Sequence, residues 1–273
     1  MCSLPTDKVL ILTPLKDAEN HLAVYFQLLL DLTYPRSLIS IGFLESDSRD
    51  NTFTESKRLL ESLGSEFRST RLWKKDFGFV IPPGASRWAT EIQIERRAVL
   101  ARSRNHLLFR ALTDEDWVLW IDVDLVGYPP DIIERLLKTG KDIVHPHCVR
   151  ESDRKTFDLN AWSERGTRHM EELRQEGDLV RLHAVGGSML FVRADLHRDG
   201  LIFPPFLFGT RSPLIRSRNH LSTKADIVKR YSLMDILRRR FQGEIETEGF
   251  GIMAYEMGHE CWGMPNLEVL HKI

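Results

Sequence analysis

Cysteine is scarce: three in 273 residues, Cys2, Cys148 and Cys261, far apart and odd in number. That excludes a disulfide framework and any zinc site built on paired cysteines. An unbroken apolar run of about 18 residues is also missing, so the sequence holds no transmembrane helix. The longest early apolar stretch, Leu22 to Leu30, is broken by Gln27 and lacks the layout of a cleavable signal. Neither sign of charge dominates, with 38 Lys+Arg against 39 Asp+Glu, so no global field selects nucleic acid. The one glycine pair, Gly186-Gly187, lacks the spacing of a dinucleotide fingerprint and of a Walker loop.

What is present is the composition of an ordinary soluble globular protein, 42% hydrophobic and 28% charged. Its most informative stretch is Trp117-Val118-Leu119-Trp120-Ile121-Asp122-Val123-Asp124. Five apolar residues in a row read as a strand buried on both faces of a parallel sheet. Ligands of open α/β sheets bind beyond the carboxyl ends of strands, where Asp122 and Asp124 stand. Two carboxylates there suit a hard divalent cation and, through it, a phosphate.

The first strand is Lys8 to Pro14, followed by a helix over 18–31 with Leu22, Phe26, Leu29 and Leu30 at helical spacing. Ile39 to Leu44 is a second strand, and Asp50 or Asn51 starts a helix ended by Gly64. Strand and helix alternate, which predicts a Rossmann-like, mostly parallel α/β sheet flanked by helices. Residues 73–90, with Gly78, Pro82, Pro83 and Gly84, read as a loop whose Lys74, Lys75 and Arg87 are candidates to close over an anion.

A long helix from about Glu91 to Leu112 carries an apolar stripe of Leu100, Ala101, Leu107, Leu108, Ala111 and Leu112. Arg104 falls inside that stripe, where a guanidinium needs a carboxylate or phosphate partner. Arg102 and Asn105 lie beside it. Ile143 to His147 reads as a strand carrying His145 and His147, a weak metal pair. Residues 150–181 read as charged surface structure. Gly186-Gly187 permits close backbone approach to a ligand, making Gly187 a candidate ligand contact. The basic stretch 209–243 reads as a solvated face or an anion cover. Glu246 and Glu248 open a short helix closed by Gly258. Leu267 to His271 is a final strand, and His271 is a candidate third metal ligand.

Taken in order, several motifs resemble one family. They are Val9-Leu10-Ile11-Leu12-Thr13-Pro14-Leu15-Lys16-Asp17-Ala18, Leu32-Thr33-Tyr34-Pro35, Leu44-Glu45-Ser46-Asp47-Ser48 and Leu100-Ala101-Arg102-Ser103-Arg104-Asn105. The Asp-X-Asp strand follows, then His197-Arg198-Asp199-Gly200, Phe203-Pro204-Pro205-Phe206, Glu246-Thr247-Glu248-Gly249-Phe250 and Gly263-Met264-Pro265-Asn266. Together they resemble the fungal mannan polymerase mannosyltransferases, glycosyltransferase family 62, over nearly the whole chain.

The resemblance implies a single GT-A domain over 1–273, with a nucleotide-binding half at 1–126 and an acceptor-binding half at 127–273. It implies Mn²⁺, with Mg²⁺ the other cation such a site would take, and a GDP-mannose donor. The reaction implied is retaining α-1,6 transfer to a glycan or other hydroxyl acceptor, with related subunits as partners. Asp122, Asp124 and His271 would hold the metal. Thr13, Pro14, Leu15 and Asp47 would border base and ribose, while Arg102, Arg104, Asn105, Asp122 and Gly187 would reach the donor. Glu246, Glu248 and Asp122 would be the catalytic carboxylates. Family members sit in the Golgi membrane through an N-terminal anchor, and no such apolar run occurs here. Two other classes fit an α/β sheet with paired carboxylates. One is a nucleotidyltransferase, although residues 13–17 lack the glycines of its phosphate loop. The other is a non-catalytic nucleotide-sugar-binding subunit.

Overall fold

The computed structural model describes residues 5–84, 86, 89–212 and 243–272. Arg87 and nearly all of the basic stretch 209–243 lie outside the described residues. In chain order the elements are β1 (Val9–Leu15), α1 (Glu19–Leu30), β2 (Ile39–Glu45), α2 (Thr52–Leu63), β3 (Ser69–Lys74) and α3 (Thr90–Ala111). Then come β4 (Trp117–Ile121), β5 (Leu125–Gly127), α4 (Ile132–Lys138), β6 (Ile143–Arg150), β7 (Trp162–Ser163), β8 (Arg168–His169) and α5 (Met170–Leu173). The chain continues through β9 (Val180–Leu182), β10 (Met189–Arg193), α6 (Ala194–Arg198), α7 (Glu246–Glu256) and β11 (Cys261–His271).

One nine-stranded sheet runs in the order β3-β2-β1-β4-β10-β6-β11-β5, with β9 also paired to β11. The pairings of β3, β2, β1 and β4 are parallel, as is that of β6 with β11. Strand β10 runs antiparallel between β4 and β6, and β5 and β9 run antiparallel to β11. Six strands therefore point one way and β5, β9 and β10 the other. Alternating side chains send Val9, Ile11 and Leu15 of β1 to a core under α1, α2 and α4, and Leu10 and Leu12 to a core under α3, α6 and α7. Each large side chain buried this way contributes roughly 1.5–3 kcal/mol, so the sheet is held firmly from both faces. Among the described residues no helix is long and apolar enough to cross a membrane.

Two segments differ from the sequence expectation. Ser69–Lys74, partly assigned to a loop, is the half-buried edge strand β3, whose alternation is too weak to stand out. Residues 150–181 are not surface throughout: Asp158, Trp162, Met170 and Leu173 are buried. Their apolar groups are spaced by short elements rather than by a helical or strand period, which hides them.

His145 and His147 do share one face of β6, but both are buried and anchored rather than gathered around an ion. His145 Nδ1 lies 2.7 Å from the Met189 carbonyl. His147 contacts the Pro265 carbonyl at 3.1 Å and the Thr156 hydroxyl at 2.9 Å. His197 is similarly buried, with Nδ1 2.7 Å from the Leu201 carbonyl. Burial pushes both His147 and His197 down to about 4. A histidine kept neutral in the fold contributes fully above its ordinary pKa of about 6.5, and the contribution falls as acid charges the unfolded chain. Between about pH 6.5 and 4, stability should therefore drop by about 1.4 kcal/mol per pH unit for each. Urea unfolding across that window checks it: His197→Gln should remove one histidine's share of the slope, and an unchanged slope would refute the assignment.

Candidate functional site

The site lies where β4 ends. The Thr13 side chain on β1 donates to the Ile121 carbonyl at 2.8 Å, fixing the last residue of β4 against its neighbour. The chain then leaves the sheet at Asp122, whose backbone N–H donates to the Ser188 carbonyl at 2.9 Å. It returns as β5, which pairs with β11 so that Leu125 faces His271. That register brings His271 Nε2 to 3.0 Å from Asp124 Oδ2. The Lys272 N–H also donates to the Asp124 carbonyl, at 3.1 Å. Phe157 stacks flat on the His271 ring, with centroids 3.5 Å apart, and His271 Nδ1 is buried without a partner. Two residues 147 positions apart thus meet through one strand pairing.

Behind this corner runs a buried ladder of charges. Arg104 projects from α3 between Trp120 and Phe203 and reaches Asp122 Oδ1 at 2.9 Å, Glu246 Oε1 at 3.2 Å and the Gly187 carbonyl at 3.3 Å. Burial works against its charge, yet Asp122 and Glu246 hold the guanidinium above its ordinary value. Arg97, seven residues earlier and so on the same helix face, donates to the Ile245 carbonyl at 2.6 Å and to Glu248 Oε2 at 2.9 Å. Glu248 Oε1 accepts from the Trp162 indole at 2.7 Å. Glu246 opens α7 with φ +59, a left-handed backbone that a non-glycine residue keeps only when its surroundings impose it. Here the surroundings are Arg104, the Thr247 hydroxyl at 3.0 Å and the Pro204 carbonyl, which accepts the Glu246 N–H.

Asp158 was not singled out in the sequence. Its Oδ2 accepts from the Gly187 N–H at 2.8 Å, the Ser188 N–H at 3.1 Å and the Ser188 hydroxyl at 3.0 Å. Since the Ser188 carbonyl fixes Asp122, Asp158 holds the turn on which the Asp-X-Asp segment rests. The glycines make this closeness feasible: a Cβ on Gly186 would sit 2.0 Å from Asp158 Oδ2, and one on Gly187 2.6 Å from Arg104 Nη2. Gly186→Ala should therefore cost about 1–3 kcal/mol through overpacking. A melting curve matching that of the parent protein would show that the turn relaxes freely.

The remaining sequence candidates are distributed unevenly. Thr13 and Leu15 are buried, so Pro14 alone among the three side chains keeps partial exposure. Asp47, with φ +53, accepts from the Phe77 and Gly78 N–H groups at 3.0 and 2.9 Å and so ties the β2 exit to the following loop. Lys74 pairs with buried Glu45 at 3.4 Å. Asn105 faces inward and clamps Phe203, donating to its carbonyl at 2.7 Å and accepting from its N–H at 2.9 Å. Arg102 points outward over the Phe77 ring. Asp122, Asp124, Arg104, Gly187, Glu246, Glu248 and His271 are brought together, and Arg97 and Asp158 join them.

Among the described residues of this cluster two arginines, Arg97 and Arg104, face five carboxylates. Burial pushes the Asp122 carboxyl up to about 6, with Arg104 pulling it down and Asp124 and Asp158 adding to the rise. Among the described residues, however, no three His, Cys, Asp or Glu side chains stand close enough together to hold a metal ion. Of the expected set of Asp122, Asp124 and His271, the Asp122 carboxylate is paired with Arg104. Asp124 and His271 are the two already in place, and the Asp122 side chain retains about a third of its exposure. Oxygen and imidazole donors beside an orphaned ring nitrogen fit a divalent cation of the Mn²⁺ type.

Residues 3–178 match the model of the family described as Anp1. The chain is 30% identical over 309 residues to the mannan polymerase II complex anp1 subunit of Schizosaccharomyces pombe, covering 98% of this chain and 64% of that one. It is 28% identical over 307 residues to the mannan polymerase II complex ANP1 subunit of Saccharomyces cerevisiae, covering 97% and 55%. The chain therefore spans somewhat over half the length of these relatives. Among solved structures it is similar to the mannosyltransferase PcManGT from Pyrobaculum calidifontis in complex with GDP-Man and Mn²⁺. That match has a TM-score of 0.56 at 12% identity and covers 98% of this chain and 57% of that one. At this identity the likeness concerns the fold, which is the GT-A type that the sequence motifs led us to expect.

Proposed function

The chain belongs to the Anp1 family, and from that premise we propose that it is a metal-dependent glycosyltransferase moving mannose from GDP-mannose to a hydroxyl of a glycan acceptor with retention of configuration. The observation that carries the reading is the meeting of Asp124 with His271 beside Asp122, at the carboxyl end of β4. Paired carboxylates there would accept a diphosphate through a cation rather than directly. Mannose and Mn²⁺ are supported by the solved neighbour's complex and by the relatives' names.

Asp124 and His271 would hold the cation, with Asp122 beside them. When bound, it would neutralise charge on the departing diphosphate. Arg104, buried behind the corner, would act by holding Asp122 and Glu246 in place rather than by touching the donor. Glu246 and Glu248 have their oxygens committed to Arg104, Arg97, Thr247 and Trp162. We assign them to holding the acceptor side in shape rather than to taking a proton. The acceptor oxygen would bond to the anomeric carbon from the face that the diphosphate leaves, its proton passing to a departing diphosphate oxygen, with no protein nucleophile named.

Incubation with Mn²⁺, a panel of nucleotide sugars and candidate mannoside acceptors tests the proposal. GDP should appear from GDP-mannose together with an extended acceptor. Pyrophosphate released from a nucleoside triphosphate plus a sugar phosphate would instead identify a nucleotidyltransferase. The relatives' names describe complex subunits, which favours one second reading: a subunit that binds the donor without turning it over. Its mark would be a melting temperature raised by GDP-mannose with no product formed.

A further inference from the structure

Most arginines described outside the site carry a carboxylate partner, as Arg36, Arg68, Arg135, Arg168, Arg193 and Arg198 do. One flank departs from this habit. Lys75 and Arg102 both stand over the Phe77 ring, at 5.5 and 5.8 Å, and Phe77 meets His106 edge-on at 6.4 Å. Arg110 lies one turn beyond His106 on α3. Burial first, then Arg110 and Lys75, lowers the His106 pKa, so these cations act on one place. Among the described residues none of Lys75, Arg102 and Arg110 has a carboxylate at ion-pair distance. Arg71, on the neighbouring edge strand, is also exposed and without one.

Arg102, His106 and Arg110 are spaced at four residues, so they form a single stripe about 12 Å long down the outside of α3. Phe109 adjoins that stripe and is 68% exposed. Asp76 at the upper end accepts the Asp47 N–H, and Glu91 and Glu95 lie further up α3, which confines the cationic patch to the helix's lower half.

We propose that this flank of α3 docks against an anionic phospholipid surface, with Lys75, Arg102 and Arg110 over the headgroups and Phe109 entering the interface. Cations framing a protruding aromatic side chain are the chemistry of interfacial binding. The stripe supplies charge and an apolar knob but no directional amide or hydroxyl side chain, which favours a headgroup layer over a folded acidic partner. It is separate from the Asp124 corner and does not depend on the transfer reaction.

Sedimentation of the purified chain with phosphatidylcholine vesicles, with and without phosphatidylserine, tests this. Binding should require phosphatidylserine and weaken as salt is raised. Arg102→Glu with Arg110→Glu should lower it at least tenfold, roughly, and Phe109→Ala a few-fold. Melting temperatures equal to the parent's would show that these exposed substitutions leave the fold intact. Equal binding to both vesicle types, no binding to either at low salt, or indifference to the double substitution would overturn the proposal. So would binding to soluble polyglutamate in place of vesicles, which would assign the flank to an acidic protein.

Discussion

Asp124→Ala is expected to cut GDP release from GDP-mannose by roughly a thousandfold while leaving the fold in place. The size follows from a cation's share of leaving-group stabilisation, about 4 kcal/mol, at about 1.4 kcal/mol per factor of ten. Asp124 is suited to carry it because its carboxylate meets His271, whereas that of Asp122 is paired with Arg104. Asp124→Ala removes only a short side chain that is about a fifth exposed, outside the apolar clusters of the core. Asp124→Asn offers a sharper form of the test. The amide oxygen would still accept from His271 Nε2–H, preserving the contact while weakening a cation's ligand. A variant that keeps the parent's melting temperature, loses turnover and no longer gains stability from Mn²⁺ with GDP-mannose would place the metal at this corner. A fully active Asp124→Ala would remove it.

The part of the site that was legible in sequence was the part written in local pattern. The five-residue apolar run before Asp122 announces a buried strand, and a lone guanidinium in the stripe of α3 announces buried carboxylates. Both are periodic signals, and Arg97 could have been found by the same rule, since it stands two turns before Arg104. Asp158 could not. Its role depends on a turn 29 residues away closing over it, and nothing near Phe157-Asp158-Leu159 marks that partner. The meeting of Asp124 with His271 was legible as chemistry, but its geometry depends on β11 pairing with β5 in one register. Thr13 and Leu15 show the opposite limit. Their loop reaches the correct sheet edge, but strand alternation turns both side chains into the core, leaving Pro14 on the other face. The edge strand β3 was missed because a half-buried edge need not alternate cleanly.

Arg104→Met should destabilise the fold by about 3–5 kcal/mol, because it keeps the volume and removes the charge on which two carboxylates depend. Asp122 and Glu246 would then face each other's neighbourhood without a cation between them, and the Gly187 carbonyl would lose its donor. In a chain of this size the melting temperature should fall by roughly 10 °C. Urea unfolding with an unchanged slope would assign the loss to the native state. Arg104→Lys should recover only part of it, since an ammonium group cannot span Asp122, Glu246 and Gly187 with one planar fork. Pairing Arg104→Met with Glu246→Gln separates charge from packing. If the penalty is an uncompensated carboxylate, the double variant should be more stable than Arg104→Met alone. If it is lost contact with Trp120 and Phe203, neutralising Glu246 should bring nothing back. The first outcome would also explain why Glu246 tolerates its left-handed backbone: Arg104 holds the carboxylate, and the helix start is built around that contact.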